Sequence, residues 1–208
     1  MSPSATLWQD NADLAADALA HPFVRGLGDG TLPQPVFAGY VAQDAFYLES
    51  FARAYALAVA HSPDRAGFDA FADLLAGVRD ELRLHEGYAR EWGIDLAAVD
   101  PLPATLAYTD FLLATAALGS LGQTCAALTP CMRLYAHLGT SLAAGQPDDR
   151  YGDWIRTYAD PGFEELAATL ERLLDTYADA GDSRTATVYR RAMRLEVGFF
   201  DAAYHAGH

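Results

Sequence analysis

Basic residues are scarce in this chain. It carries 14 Lys and Arg against 28 Asp and Glu, a net charge of −14 over 208 residues. Sequence-independent binding to nucleic acid needs clustered cations on the phosphates, and this balance argues against it. The same balance disfavours docking on anionic membranes. Cysteine is sparse too, with only Cys125 and Cys131. On one continuous helix their six residues of rise hold them about 9 Å apart, too far for a disulfide. Two reduced thiols point to a reducing compartment. The opening MSPSATLWQDNADLAADALA has no basic segment followed by an apolar one, so it does not read as a signal peptide. No apolar run approaches the length of a membrane span. Gly28-Asp29-Gly30 is not a phosphate loop, because no Gly-Lys-Ser or Gly-Lys-Thr follows and no strand precedes it. A serine-hydrolase elbow, a zinc cysteine cluster and a dinucleotide fingerprint are all missing. These absences leave a soluble cytoplasmic protein with neither nucleic acid nor membrane as partner.

Hydrophobic residues make up 51% of the chain and aromatics 12%, with 11 Tyr and 10 Phe. That suffices for a substantial core, and the length suits one domain over residues 1–208. The periodicity is helical almost throughout, and alternating strand patterns are nearly absent. A first helix is expected from about Ser4 to Ala20. The stretch HPFVRGLGDGTLPQPVF, with its three glycines and Pro33 and Pro35, reads as a turn-rich connection. A second helix then stops near Ser62-Pro63, and a third runs from about Asp64 to Trp92 with Phe68 in its apolar stripe. A fourth covers about Ala104 to Leu118. A fifth spans about Leu121 to Ala144, with a kink or break expected at Pro130. A short sixth helix contains Trp154, Ile155 and Tyr158. A seventh starts at Asp160-Pro161, and an eighth follows Gly181-Asp182-Ser183. The fold class is therefore all-α, a single bundle of about seven to nine helices.

Within that pattern, some polar groups sit where apolar ones are expected. Asp44 falls inside the stripe Phe37, Tyr40, Val41, Tyr47, Leu48, Phe51, and burying a carboxylate there requires a partner or a purpose. His85, Tyr108, Cys131 and Glu196 lie on or beside stripes of other helices. Taken singly, each has an ordinary reading as packing, a satisfied core group or a surface charge. Together, two carboxylates and a thiol are the makings of an anchor, a nucleophile and an acid/base. Metal is a competing constellation, since Glu81/His85 and Asp201/His205 are spaced four apart on helices. The Glu-x-x-His of a di-iron bundle is absent, which weighs against it.

The segments HPFVRGLGDGTLP, FAGYVAQDAFYLESFARA, ELRLHEGYA and LTPCMRLYAHLG, in that order, resemble the TenA family of thiaminase II proteins. The likeness runs from about His21 to Tyr204. It implies a haem oxygenase-like helical fold without haem, no metal or other cofactor, and a homotetramer. It also implies hydrolysis of an aminopyrimidine: 4-amino-5-aminomethyl-2-methylpyrimidine, or thiamin itself, to the 5-hydroxymethyl product in thiamin salvage. By the same resemblance, Asp44 anchors the pyrimidine, with Tyr47, Tyr108, Tyr135 and Tyr158 around the substrate. Cys131 is the nucleophile, and Glu196 is the catalytic acid/base. Met132 and Arg133 depart from the family's pattern beside the nucleophile, and Arg133 is a candidate to alter access or preference. A non-catalytic pyrimidine-binding regulator and a di-iron oxidase on the same scaffold are the alternatives. Activation of the thiol is expected from a helix N-terminus created at Pro130.

Overall fold

In the computed structural model the backbone is described for residues 1–92, 96, 99–145, 147–179 and 181–206. The side chains of residues 80, 84–86, 88, 91 and 92 are outside the description. No strand occurs among the described residues. The helices, in chain order, are α1 (Pro3–Asp10), α2 (Ala12–Ala20), α3 (Pro22–Gly28), α4 (Gln34–His61) and α5 (Arg65–Trp92). They continue with α6 (Pro103–Leu118), α7 (Leu121–Ala144), α8 (Gly152–Tyr158), α9 (Pro161–Tyr177) and α10 (Ser183–Ala206). The arrangement is all-α, as the periodicity predicts.

Three local expectations are corrected. The first helix is two, because Asn11 ends α1 and turns its side chain back to donate to the Leu7 carbonyl at 2.7 Å. Part of the turn-rich connection is helical. Pro22 opens α3, the His21 ring nitrogen accepts from the Phe23 amide at 3.2 Å, and Phe23, Val24 and Leu27 are fully buried. Burial of that apolar face outweighs the low helix propensity of its glycines. Finally, Pro130 does not break its helix, for α7 runs through it. A Ser120–Gln123 capping box fixes the start of α7, and the Thr129 hydroxyl donates to the Cys125 carbonyl at 2.7 Å. Buried side chains line α7 on nearly every turn, so tertiary packing holds the helix across the missing amide. A smaller departure is Phe68, 45% exposed, with the Arg65 guanidinium over its ring.

α7 is central. It packs against α6, α8, α9 and α10, while α4 packs against α5, α6 and α10. Two glycines let backbones come close to α7. A Cβ on Gly122 would lie 2.7 Å from the Ala178 Cα, and one on Gly139 would lie 2.7 Å from both the Tyr158 carbonyl oxygen and the Ala159 amide nitrogen. Backbone cannot retreat as a flexible side chain can. Gly139 therefore sets how near the end of α8 rests on α7. Cys125 and Cys131 are both free and buried.

Gly139→Ala is expected to push the end of α8 outward, at a cost of about 1–3 kcal/mol. Thermal unfolding should show a lowered midpoint. An unchanged midpoint would mean that the contact yields freely.

Candidate active site

Five helices bring the polar groups of the interior together. α4 supplies Tyr40, Asp44, Tyr47 and Tyr55, one to two turns apart along one buried side. α6 supplies Tyr108, α7 supplies Cys131 and Tyr135, α8 supplies Trp154 and Tyr158, and α10 supplies Glu196. Asp44 is 4% exposed, Glu196 2% and Cys131 9%. Thus Glu196, at the edge of its sequence stripe, is a core residue rather than a solvated one. A sixth helix, α5, adds Glu81, whose Oε1 accepts a hydrogen bond from the Tyr158 hydroxyl at 2.9 Å.

The thiol sits among acids. Burial pushes Cys131 well above the ordinary thiol value, and the neighbouring Glu196 carboxylate pushes it further. The Tyr47 hydroxyl pulls in the opposite direction, and Asp44 and Glu81 add to the upward push. This overturns the expectation of a thiol lowered by a helix N-terminus. α7 does not start at Cys131, and the backbone amides there are already used within the helix. Glu196 is displaced as well. Burial raises its carboxyl to about 8, with Asp44 pushing the same way, while a hydrogen bond from the Tyr108 hydroxyl at 2.5 Å and the Cys131 thiol partly restrain it. Near neutral pH the resting site therefore holds a protonated thiol beside a largely protonated carboxyl.

Aromatic rings flank these groups. Tyr47 and Tyr108 lie 4.8 Å apart by ring centroids, and Tyr135 meets Tyr158 edge-on at 4.8 Å. The Tyr47 hydroxyl acts on Cys131, yet it makes no hydrogen bond of full geometry with any protein atom. The Tyr55 hydroxyl, one further turn along α4, is likewise unpartnered and buried. Buried hydroxyls without partners are costly, and their capacity is available to a ligand.

All seven residues singled out by resemblance, Asp44, Tyr47, Tyr108, Cys131, Tyr135, Tyr158 and Glu196, lie in this interior. The His85 side chain falls outside the described residues. Arg133 does not reach the site. Two residues past Cys131 it is turned roughly 200° around the helix. There its guanidinium bridges α9, to Glu171 at 2.7 and 2.9 Å and to Glu164 at 2.8 and 2.9 Å. Its role is to fasten α7 to α9, not to gate access. Asp201 and His205 are exposed at the surface, 3.4 Å apart. Among the described residues no group of three or more His, Cys, Asp or Glu is disposed to hold a metal. Sequence reasoning overlooked Glu81, Tyr40, Tyr55 and Trp154 as members of the site. The one signal for Glu81 was its four-residue spacing from His85, which suggested a metal pair.

Comparison with known proteins fits this arrangement. A family model described as TENA/THI-4/PQQC matches residues 8–206. A protein of Halalkalibacterium halodurans named aminopyrimidine aminohydrolase is 37% identical over 216 residues, covering 99% of this chain and 96% of its own. The crystal structure of a TenA family transcription regulator from Silicibacter sp. superposes with a TM-score of 0.90 at 31% identity, over 96% of this chain and 95% of that one. A Shewanella denitrificans domain of unknown function with a heme oxygenase-like fold superposes with a TM-score of 0.79 over 97% of this chain and 92% of that one. At 15% identity that last likeness concerns the fold alone. The match over nearly all of the sequence, on a helical fold shared from end to end, means that the chain belongs to the TENA/THI-4/PQQC family.

Proposed function

We propose that this protein is an aminopyrimidine aminohydrolase, a hydrolase that acts on a carbon–nitrogen bond in thiamin metabolism. The observation that carries the reading is a buried thiol set between a carboxyl raised to about 8 and a second buried carboxylate, with tyrosines around them. Full-length similarity to a protein named for that activity supports it. The substrate is 4-amino-5-aminomethyl-2-methylpyrimidine or thiamin, and the product is the 5-hydroxymethyl pyrimidine.

In this reading Asp44 anchors the ring. Its carboxylate takes a hydrogen of the exocyclic amino group and, with a proton, meets a ring nitrogen. Tyr47, Tyr108, Tyr135 and Tyr158 bound the ring and orient the reacting groups. The Cys131 sulfur bonds to a ring carbon while its proton passes to the ring nitrogen that gains the electron pair. Aromaticity is lost, and the ring's electrons expel the 5-methylene substituent. Glu196 gives its proton to the departing amine. The resulting carboxylate then takes a proton from water as the water oxygen bonds to the methylene. Loss of the thiol restores the aromatic ring and the starting enzyme. The raised Glu196 carboxyl suits both steps, because a group that titrates near neutral pH gives and takes a proton with small penalty. No separate thiolate is required, since addition and proton transfer neutralise one another across the ring. One domain of residues 1–208, a homotetrameric assembly and a cytoplasmic location complete the proposal. The first agrees with the length, the second rests on family resemblance, and the third rests on the reading of Cys125 and Cys131 as reduced thiols. No described helix is long and apolar enough to cross a membrane.

Cys131→Ala is expected to lower ammonia release by about 100-fold or more while leaving product binding in place. Turnover that survives this change sinks the nucleophile assignment. Asp44→Asn should weaken product binding about tenfold, measured by calorimetry, with helicity unchanged; wild-type affinity in that variant removes the anchor role. The raised Glu196 carboxyl also makes stability depend on pH. Between the ordinary carboxyl value of 4.5 and about 8, the folded protein keeps a proton that the unfolded chain has released. Stability therefore falls as pH rises through this window, by an amount on the order of a few kcal/mol. Glu196→Gln stays neutral throughout, so denaturant titrations from pH 5 to 9 should show a flatter profile for the variant. Parallel profiles would mean that Glu196 ionises normally.

A further inference from the structure

Two residues outside the proposed catalytic set control hydroxyl groups within it. The first is Trp154 on α8. Its indole N–H donates and never accepts. Its Nε1 lies 3.3 Å from the Tyr40 hydroxyl oxygen, and the Tyr40 hydroxyl donates in turn to the Tyr135 hydroxyl at 3.1 Å. All three side chains are buried. Direction in this chain is dictated from the indole end. The indole cannot accept, and Tyr135 is the other hydrogen-bond partner of the Tyr40 hydroxyl, so the Tyr40 hydrogen goes to Tyr135. Tyr135 accepts from Tyr40, so its hydrogen is left for its other side, where Asp44 acts on it electrostatically. Tyr135 therefore meets the site as a donor.

The second residue is Glu81 on α5. The Tyr158 hydroxyl spends its hydrogen on the Glu81 Oε1 at 2.9 Å. What remains on the Tyr158 oxygen is lone-pair density, so Tyr158 meets the site as an acceptor. The two tyrosines stand against each other, ring centroids 4.8 Å apart, and present opposite polarity.

We propose that Trp154 and Glu81 are positioning residues that fix the Tyr135 and Tyr158 hydroxyl hydrogens, so that the site reads a 4-aminopyrimidine and rejects its 4-oxo counterpart. This rests on the reading of Asp44, Tyr135 and Tyr158 as groups that face the ring. Both ring nitrogens of a 4-aminopyrimidine accept, and its exocyclic NH₂ donates. A donor at Tyr135 suits a ring nitrogen, and acceptors at Tyr158 and Asp44 suit the NH₂ hydrogens. The 4-oxo ring reverses part of this pattern: its exocyclic oxygen accepts, and one ring nitrogen carries hydrogen. Against fixed hydroxyls, that ring leaves buried polar atoms facing their own kind, which is where a site built on hydrogen bonds discriminates most strongly. If the hydroxyls were free to rotate, they would adapt to either ring.

The test is a calorimetric titration of 4-amino-5-hydroxymethyl-2-methylpyrimidine and its 4-oxo analogue into wild type, Trp154→Phe, Glu81→Leu and Glu81→Gln, with the melting temperature of each. Trp154→Phe keeps a ring against Tyr135 and Tyr158, which lie 5.7 and 4.7 Å away by centroids, and removes the donor. The amino-over-oxo affinity ratio is expected to fall about tenfold in Trp154→Phe and in Glu81→Leu, about 1.4 kcal/mol of discrimination. Glu81→Gln retains an acceptor oxygen and is expected to retain the ratio. Equal weakening of both ligands, with the ratio unchanged, overturns the proposal and leaves Trp154 and Glu81 as packing residues. If Trp154→Phe does not fold, Tyr40→Phe interrupts the same chain and decides the matter by the same ratio. Wild-type protein that binds neither pyrimidine overturns the functional reading itself, and this proposal with it.

Discussion

Taking carboxyl groups out of water is the constraint around which this interior is built. Burial raises the Cys131 thiol most, and the carboxylates of Glu196, Asp44 and Glu81 raise it further against the pull of the Tyr47 hydroxyl. A carboxyl group moved into a protein interior can be held by protonation or by donated hydrogen bonds. Both devices are visible. Glu196 moves its titration up to about 8 and takes the Tyr108 hydrogen, while Glu81 takes the Tyr158 hydrogen. The abundance of tyrosine follows from this need. A tyrosine fills core volume as a phenylalanine does, and it brings a hydrogen that a buried carboxylate can accept. The aromatic excess in the composition thus belongs to the polar interior as much as to the apolar one.

Helices were legible in the sequence wherever an apolar stripe was long. α4, α6, α7 and α10 are found close to where the periodicity puts them, because burial of a stripe dominates their stability. The failures were local and have local causes. Asn11 interrupts what the stripe would join, because its side chain competes for the Leu7 carbonyl. Pro130 should by propensity have disturbed α7, but the helix is packed on so many sides that one missing amide does not end it.

The interior polar groups were legible only in part. Asp44 stood out because a charge inside a stripe is anomalous by itself. Cys131 and Tyr108 stood out less, since a thiol or a phenol in a stripe is ordinary; they were candidates only as members of a constellation, and the family resemblance assigned their roles. Glu81 was noticed for its spacing from His85 and weighed only as half of a disfavoured metal pair, whereas it accepts from Tyr158 on a helix distant in sequence. A hydrogen bond of that kind has no periodic signature. The same is true of Trp154 and Tyr40, joined across more than a hundred residues. Arg133 was misjudged for a simpler reason. Adjacency to Cys131 in sequence is opposition on a helix, and the guanidinium belongs to the interface with α9.

The chain of donors from Trp154 has one more consequence, for traffic. A proton wire needs a terminus that can take up a proton, and an indole N–H has none to offer. The Trp154–Tyr40–Tyr135 line is therefore a dead end for conduction, however well its members are aligned. In the proposed reaction, protons pass among thiol, ring, carboxyl and water, and this line carries none of them out to bulk solvent.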